Sequence, residues 1–389
     1  MIEVVEMAMD APTTWFPLPP THAQAATLAR FALHVDDLSL TVRAWRALAK
    51  DSAVLLPYAA PYPGPLASPL RSLNGHPLQA LLPEGLSRAW LKCDDELPLS
   101  QSLSDRGMGY AVLSLVSDAM IAAGMAHVGQ PLMAVDKPAT RAWLSEHRLV
   151  IHGPGRDALA AARICKALGL PSTVILQSDT PQALLEALQD SGAQLSEAKS
   201  SADVAQFKRQ VSGFNSSTWW LDTAESFEAF QGYACAALEL KQQLFNHDIQ
   251  PSLRQPVLVF VASGNCLGAA ALVRGLKSVF GPCVQAVLVE DSHQLKALPT
   301  LCRWPKDGEQ AHGTVTSQMG STALTGMVDA IITVDDRHRQ LARLPLPEHT
   351  HAQLADDAVG IFAAAAEHLR SLPENPPHVL FWMSDSALS

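Results

Sequence analysis

Positive charge is scarce in this chain. Over 389 residues, 28 Lys and Arg stand against 38 Asp and Glu, a formal net charge of −10. No Lys/Arg cluster offsets that deficit, which argues against a nucleic-acid partner or an anionic membrane surface. Cysteine is also sparse. The six copies, at 93, 165, 235, 266, 283 and 302, form no Cys-x-x-Cys and no zinc-like spacing. That pattern predicts reduced thiols, a cytoplasmic setting and no metal site. Long hydrophobic runs are missing as well: the longest, such as Val257–Ala262, are strand-sized and far short of a membrane span. The opening Met-Ile-Glu-Val-Val-Glu has no basic stretch, so no signal peptide is expected. No internal repeat or low-complexity tract is found.

What is present is a globular composition, 48% apolar and 17% charged, with length enough for a large domain and a smaller one. A Pro-rich entry segment, residues 11–20, and a Pro-rich loop, Pro57–Pro69, flank a helix expected at about Val42–Leu48. Strands are expected at Ala89–Cys93, Leu149–His152, Ser172–Leu176, Gln194–Glu197, Trp219–Leu221, Pro256–Ala262, Val284–Glu290, Ile331–Val334 and His378–Met383. Helices are expected at 106–123, from about 156 to Leu168, and at Pro181–Ser191, Glu228–Leu244, Ala269–Val279 and 352–370. This alternation predicts an α/β protein with parallel strands joined by crossover helices.

The organising stretch is the strand Ala89–Cys93, the loop Ser100-Gln-Ser102-Leu103-Ser104-Asp105-Arg106-Gly107, and a helix with apolar Val112, Leu113, Val116 and Met120. Together with Thr13-Thr-Trp-Phe16 near the start, these residues resemble the D-serine dehydratase family, pyridoxal-phosphate lyases of the tryptophan-synthase-β-like (fold type II) class. The resemblance runs from about Thr13 to Met383. It implies parallel-rich twisted sheets with helices on both faces and two domains: 1–105 with 216–389 as the large one, and 106–215 as the small one. It also implies pyridoxal phosphate as cofactor and deamination of D-serine or a similar hydroxy amino acid.

The family loop runs Ser-Gly-Ser-aliphatic-Lys-x-Arg-Gly, and its Lys holds the cofactor as a Schiff base. Here Ser100, Ser102, Arg106 and Gly107 match while Ser104 stands at the lysine's position. A hydroxyl can neither form an imine nor remove the substrate α-proton at neutral pH. The next residue, Asp105, adds a negative charge near where a dianionic cofactor would lie. Lys92, on the preceding strand, and Lys277, nine residues past Gly268, are expected to be out of reach.

Other cofactor loops depart in the same direction. The family's Gly-Gly-Gly-Pro-Gly phosphate cradle corresponds to Gly264-Asn265-Cys266-Leu267-Gly268, where three added Cβ atoms crowd the backbone and penalise positive φ. Its Ser-Thr-Gly-Asn loop corresponds to Gly153-Pro154-Gly155-Arg156, with only Gly155 matching; Arg156 offers an anion-binding side chain or a solvated one. Its final Thr-Gly-Gly-Gly corresponds to Ser384-Asp385-Ser386-Ala387, with Ser384 keeping the hydroxyl. Cys266 at a helix start is a candidate nucleophile set against a plain buried thiol. His349-x-His351 lacks further ligands and reads as a surface loop.

The sequence therefore predicts a kept scaffold with a changed site. One reading is a catalytically degenerate relative that binds a small amino-acid-like or phosphate-bearing ligand, or pairs with a copy of itself or an active paralogue. The other is a divergent lyase that still uses pyridoxal phosphate.

Overall fold

The computed structural model describes residues 12–21, 24, 28–49, 66–84, 86, 88–127, 137–153, 155–176, 180–214, 217–302, 316–347, 354–370 and 378–385. His349, His351, Pro154, Ser386, Ala387 and most of the Pro57–Pro69 loop lie outside them.

In chain order the chain forms β1 (Thr13–Trp15), α1 (Val35–Ala49), β2 (Leu70–Ser72), β3 (Ala89–Cys93) and α2 (Ser104–Ala122). Then come α3 (Pro138–Ser145), β4 (Arg148–His152), α4 (Gly155–Leu168), β5 (Ser172–Leu176), α5 (Gln182–Asp190), β6 (Gln194–Glu197), α6 (Ser201–Phe214) and β7 (Thr218–Asp222). The remainder is α7 (Phe227–Ala234), α8 (Ala236–Asn246), β8 (Val257–Ala262), α9 (Leu267–Phe280), β9 (Val284–Asp291), α10 (Leu298–Leu301), α11 (Gln318–Leu324), β10 (Ala330–Val334), α12 (Asp336–Arg343), α13 (Asp356–Arg370) and β11 (His378–Met383).

Two sheets result. The larger has the order β1-β10-β9-β8-β11-β3-β2, and the smaller the order β6-β5-β4-β7. All pairings are parallel except the two edges, β1 on β10 and β2 on β3. Strands buried on both faces read as unbroken apolar runs, and β8 (Val-Leu-Val-Phe-Val-Ala) is buried at every position. One face of the larger sheet packs on α13 through Phe260, Phe362 and Phe381. The other carries α2, α7, α8 and α9 around Val112, Phe230, Leu240 and Leu272.

Two expectations are revised. The 228–244 helix is two: it breaks at Cys235, where α9 presses in so closely that a Cβ on Gly275 would meet the Ala234 carbonyl oxygen at 2.4 Å. The first helix begins at Val35, its N-terminus marked by Asp37, which accepts from His34 N–H at 2.9 Å. Beyond the expected small segment 106–215, β7 pairs in parallel with β4, which places Thr218–Asp222 in the smaller sheet.

Both sheets change winding direction once. In the larger this happens between β8 and β11, in the smaller between β4 and β7. Loops leaving strand C-terminal ends part at such switch points, so each opens a crevice. The two crevices face one another and together form one cavity.

Candidate functional site

The cavity measures about 520 Å³. Its wall takes Gly155 to Ala158 from the start of α4, Ser263 to Asn265, Gly268 and Ala269 from the β8–α9 turn, and Ser384 and Asp385 from beyond β11. Leu103 and Ser104 come from the start of α2, Tyr233 from α7, and Gln294 and Lys296 from the segment after β9.

Small residues set this geometry. A Cβ on Gly107 would lie 2.3 Å from the Tyr233 ring, and one on Gly232 would lie 2.7 Å from the Arg106 carbonyl oxygen. Helices α2 and α7 therefore pack backbone to ring, which carries the Tyr233 hydroxyl into the cavity. There it donates to Asp157 Oδ1 at 2.7 Å. Asn265 Nδ2 donates to Asp157 Oδ2 at 2.9 Å, while Asn265 Oδ1 accepts from Leu267 N–H at 3.0 Å. Ser104 lines the same part of the wall, and its hydroxyl is felt by both Asp157 and Tyr233. Burial pushes Asp157 above the ordinary carboxyl range, although these three donors pull the other way. The Tyr233 phenol, buried and facing that carboxylate, is held well above its usual value.

The loop residues Ser100 and Ser102 do not line the cavity. They are buried and build the entry to α2. Ser102 Oγ accepts from Ser104 N–H at 2.9 Å, and the Ser100 hydroxyl bonds to Asp105. Asp105 turns away as well, accepting from the N–H groups of Leu99 at 2.6 Å and Ser100 at 2.7 Å. The carboxyl groups that reach the cavity are instead those of Asp157 and Asp385. Two arginines of α4 complete the clamp on this loop, Arg163 donating to the Leu99 carbonyl and Arg156 to that of Ser100. Arg156 Nε also lies 3.6 Å from Asp385. Burial first, then the Asp357 charge, push Asp385 up to about 7, against the pull of Arg156.

In the β8–α9 turn, Gly264, Asn265 and Gly268 reach the cavity, whereas Cys266 and Leu267 are fully buried. Gly264 and Cys266 both have positive φ, +51° and +74°, so the backbone penalty foreseen for the added side chains falls on Cys266. Burial drives its thiol far above the ordinary range, with Glu290 adding to the effect, which removes it as a nucleophile. Gly155 and Ser384 line the wall as expected.

Neither lysine weighed from the sequence is near. Lys92 is fully buried below α2, donating to the Ser68 carbonyl at 2.8 Å and Glu239 Oε1 at 2.5 Å. Lys277 binds the Val284 carbonyl and Asp329, both at 2.7 Å. Among the described residues, Lys296 is the lysine on the cavity wall. Its charge is felt by Cys266 and Asp357, which sets it toward the β8–α9 turn and the start of α13. Sequence reasoning missed Asp157, Tyr233, Lys296 and Asp385. A signal existed for Asp157, an acid in the first turn of a helix that follows a glycine turn; none existed for Tyr233 or Lys296, which arrive by tertiary packing.

Away from the cavity wall lies a separate, buried charge cluster. Arg106 donates to Asp94 (2.7 Å and 2.9 Å) and Glu239 (2.7 Å), and Lys92 to Glu239. Trp382 Nε1 adds a 3.0 Å bond to Asp94. Two cations meet two anions, which is what buried charge requires. Among the described residues no group of three or more His, Cys, Asp or Glu is placed to hold a metal ion, and no helix is long and apolar enough to cross a membrane.

A family model for pyridoxal-phosphate-dependent enzymes matches residues 68–384. A probable D-serine dehydratase of Geobacillus kaustophilus (strain HTA426) is 26% identical over 367 residues, covering 89% of this chain and 83% of that protein. Another, from Pseudomonas putida (strain GB-1), is 29% identical over 289 residues, covering 72% and 64%. Among solved structures, diaminopropionate ammonia lyase from Escherichia coli in complex with D-serine has a TM-score of 0.69 at 14% identity, covering 97% of this chain and 95% of that one. Maize serine racemase has a TM-score of 0.62 at 16% identity, covering 91% and 93%. The fold is thus that of fold type II pyridoxal-phosphate enzymes, and the chain belongs to the pyridoxal-phosphate-dependent enzyme family, D-serine dehydratase-like in sequence.

Proposed function

We propose that this chain is a D-serine dehydratase-like protein that has given up imine chemistry and uses the inherited cavity to bind a small polar ligand. One observation carries the reading: where the family resemblance puts the cofactor-holding lysine, the Ser104 hydroxyl sits against Asp157 and Tyr233. Among the described residues, that corner of the cavity supplies a hydroxyl, a phenol, an amide and a carboxylate, and no amine.

The residues present do not fit an imine-linked pyridoxal phosphate. Asp157 and Asp385 put two carboxylates on the wall that would face a dianionic cofactor, and Arg156 is already engaged with Asp385 and the Ser100 carbonyl. In the β8–α9 turn, Leu267 N–H is taken by the Asn265 side chain and Cys266 N–H by the Ser263 carbonyl at 2.8 Å, leaving fewer donors for a phosphate. We assign the cavity to the junction of the two domains, with the smaller one ending after β7.

A second reading is a divergent lyase that deaminates D-serine or a related hydroxy amino acid with pyridoxal phosphate. Lys296 on the cavity wall favours it. Titration of the purified chain with pyridoxal phosphate separates the two. The proposed reading expects no absorbance band of a protein-bound imine and no pyruvate from D-serine. Either signal supports the lyase.

A further inference from the structure

We infer that a second cavity, between α12 and α13, binds a small amphipathic carboxylate, its hydrocarbon chain on the apolar wall and its head on Arg337. The inference goes beyond the proposed reading and does not depend on it, since the two cavities share no lining residue.

The second cavity also measures about 520 Å³, within the range of small-molecule sites, about 300–1,000 Å³. Short side chains leave the space open. Ala342 of α12 and Ala363 and Ala366 of α13 line it, with Ala80 from the turn Pro77–Leu81, and longer side chains at these positions would close the gap. Phe362 and Leu81 are buried and Leu341 is half-buried, so the wall they contribute is apolar.

The polar part of this lining is basic, in a chain whose net charge is −10. Arg337, His338 and Arg370 stand there against one acid, Glu367. Arg370 is held by Glu367 at 2.8 Å, and His338 lies against Asp335. Asp336, the next acid along, binds Arg339 at 2.8 Å. Arg337 differs from its neighbours: among the described residues its side chain forms no ion pair and no hydrogen bond. An apolar wall beside an uncommitted guanidinium suits a molecule with a hydrocarbon chain and a carboxylate, which the planar fork of an arginine binds through paired N–H groups. A neutral molecule would leave Arg337 unused, and a cation would meet Arg337 and Arg370.

The test titrates hexanoate, butanoate and 1-hexanol into the full chain by calorimetry, each in the millimolar range. Hexanoate is expected to bind saturably and about tenfold tighter than butanoate, as two further buried methylenes imply. Arg337→Gln, at an exposed position, is expected to weaken hexanoate about three- to fivefold, the scale of one exposed charge contact. The alcohol, which lacks the charge, is expected to bind more weakly than hexanoate and to ignore that substitution. Ala366→Leu fills the cavity and is expected to abolish binding of both, whereas Lys296→Gln, which removes a cation of the first cavity, is expected to change neither. Equal binding of acid and alcohol, no hexanoate binding, unchanged hexanoate binding in Arg337→Gln, or its loss in Lys296→Gln would overturn the inference. A changed sedimentation coefficient in Ala366→Leu would assign the cavity to a contact between copies of the chain and overturn it as well.

Discussion

Tyr233 Oη donates a 2.7 Å hydrogen bond to Asp157 Oδ1, tying α7, packed on the larger sheet, to the first turn of α4, which follows the central strand of the smaller one. The bond depends on Gly107, which lets the tyrosine ring lie on the α2 backbone.

Gly107→Ala puts a methyl group 2.3 Å from the ring carbon of a buried side chain. The ring has to move, since its neighbours are backbone. We expect a loss of about 1–3 kcal/mol, the usual cost of overpacking, measured by urea denaturation, and a weaker tie between Tyr233 and Asp157. Wild-type stability in this variant would mean the two helices have slack.

Ser104→Lys restores the residue type of the family loop and tests whether one substitution explains the altered site. The new amine would meet Asp157, which favours its protonated, non-nucleophilic form. With pyridoxal phosphate added, the variant is expected to release no pyruvate from D-serine. Detectable turnover would show that the changes at Asp157, Asn265 and Asp385 matter less than the single lysine.

Glu239→Gln removes one of the two anions that balance Lys92 and Arg106 in the buried cluster. Leaving a buried cation short of its partner costs about 3–5 kcal/mol, and chemical denaturation is the measurement. Burial alone would raise Glu239, but Arg106 and Lys92 outweigh it and hold the carboxyl below its usual range. Its contribution to stability is therefore complete above the unfolded value, about 4, and is lost as pH falls through the lower folded one. The variant should lack that acid-side loss.

Asp105 works in the opposite sense. Burial pushes it up to about 6 despite donors from Ser100 and Leu99. The folded chain thus binds this proton more tightly than the unfolded chain does, so the contribution is complete below about 4 and is lost as pH rises through 6. Asp105→Asn should flatten the decline of stability between those two values; an unchanged slope would assign the decline to another group.

Much of the scaffold was legible because its signals are local. The run Val257–Ala262 is apolar at every position, and β8 takes those bounds; Ala89–Cys93 and Ser172–Leu176 likewise form the strands read from them. The split at Cys235 was not legible, because its cause is the approach of Gly275 some 40 residues on. The site divides in the same way. Gly155, Asn265 and Ser384 are loop residues at strand ends, where a doubly wound sheet opens its crevice, and they line the cavity. Ser100 and Ser102 carry the same hydroxyls in the same motif yet face inward, since Asp105 gathers that loop around its own carboxylate. Tyr233 and Lys296 reach the cavity only through the packing of α7 and the path of the chain after β9.

The central claim is that no lysine of this chain holds pyridoxal phosphate as an imine. Incubation of the purified chain with excess cofactor, reduction with borohydride and intact-mass measurement address it directly. The account predicts a mass unchanged from the untreated chain. A gain of one reduced cofactor, mapped by peptide analysis to Lys296, would contradict it and return the chain to the working lyases.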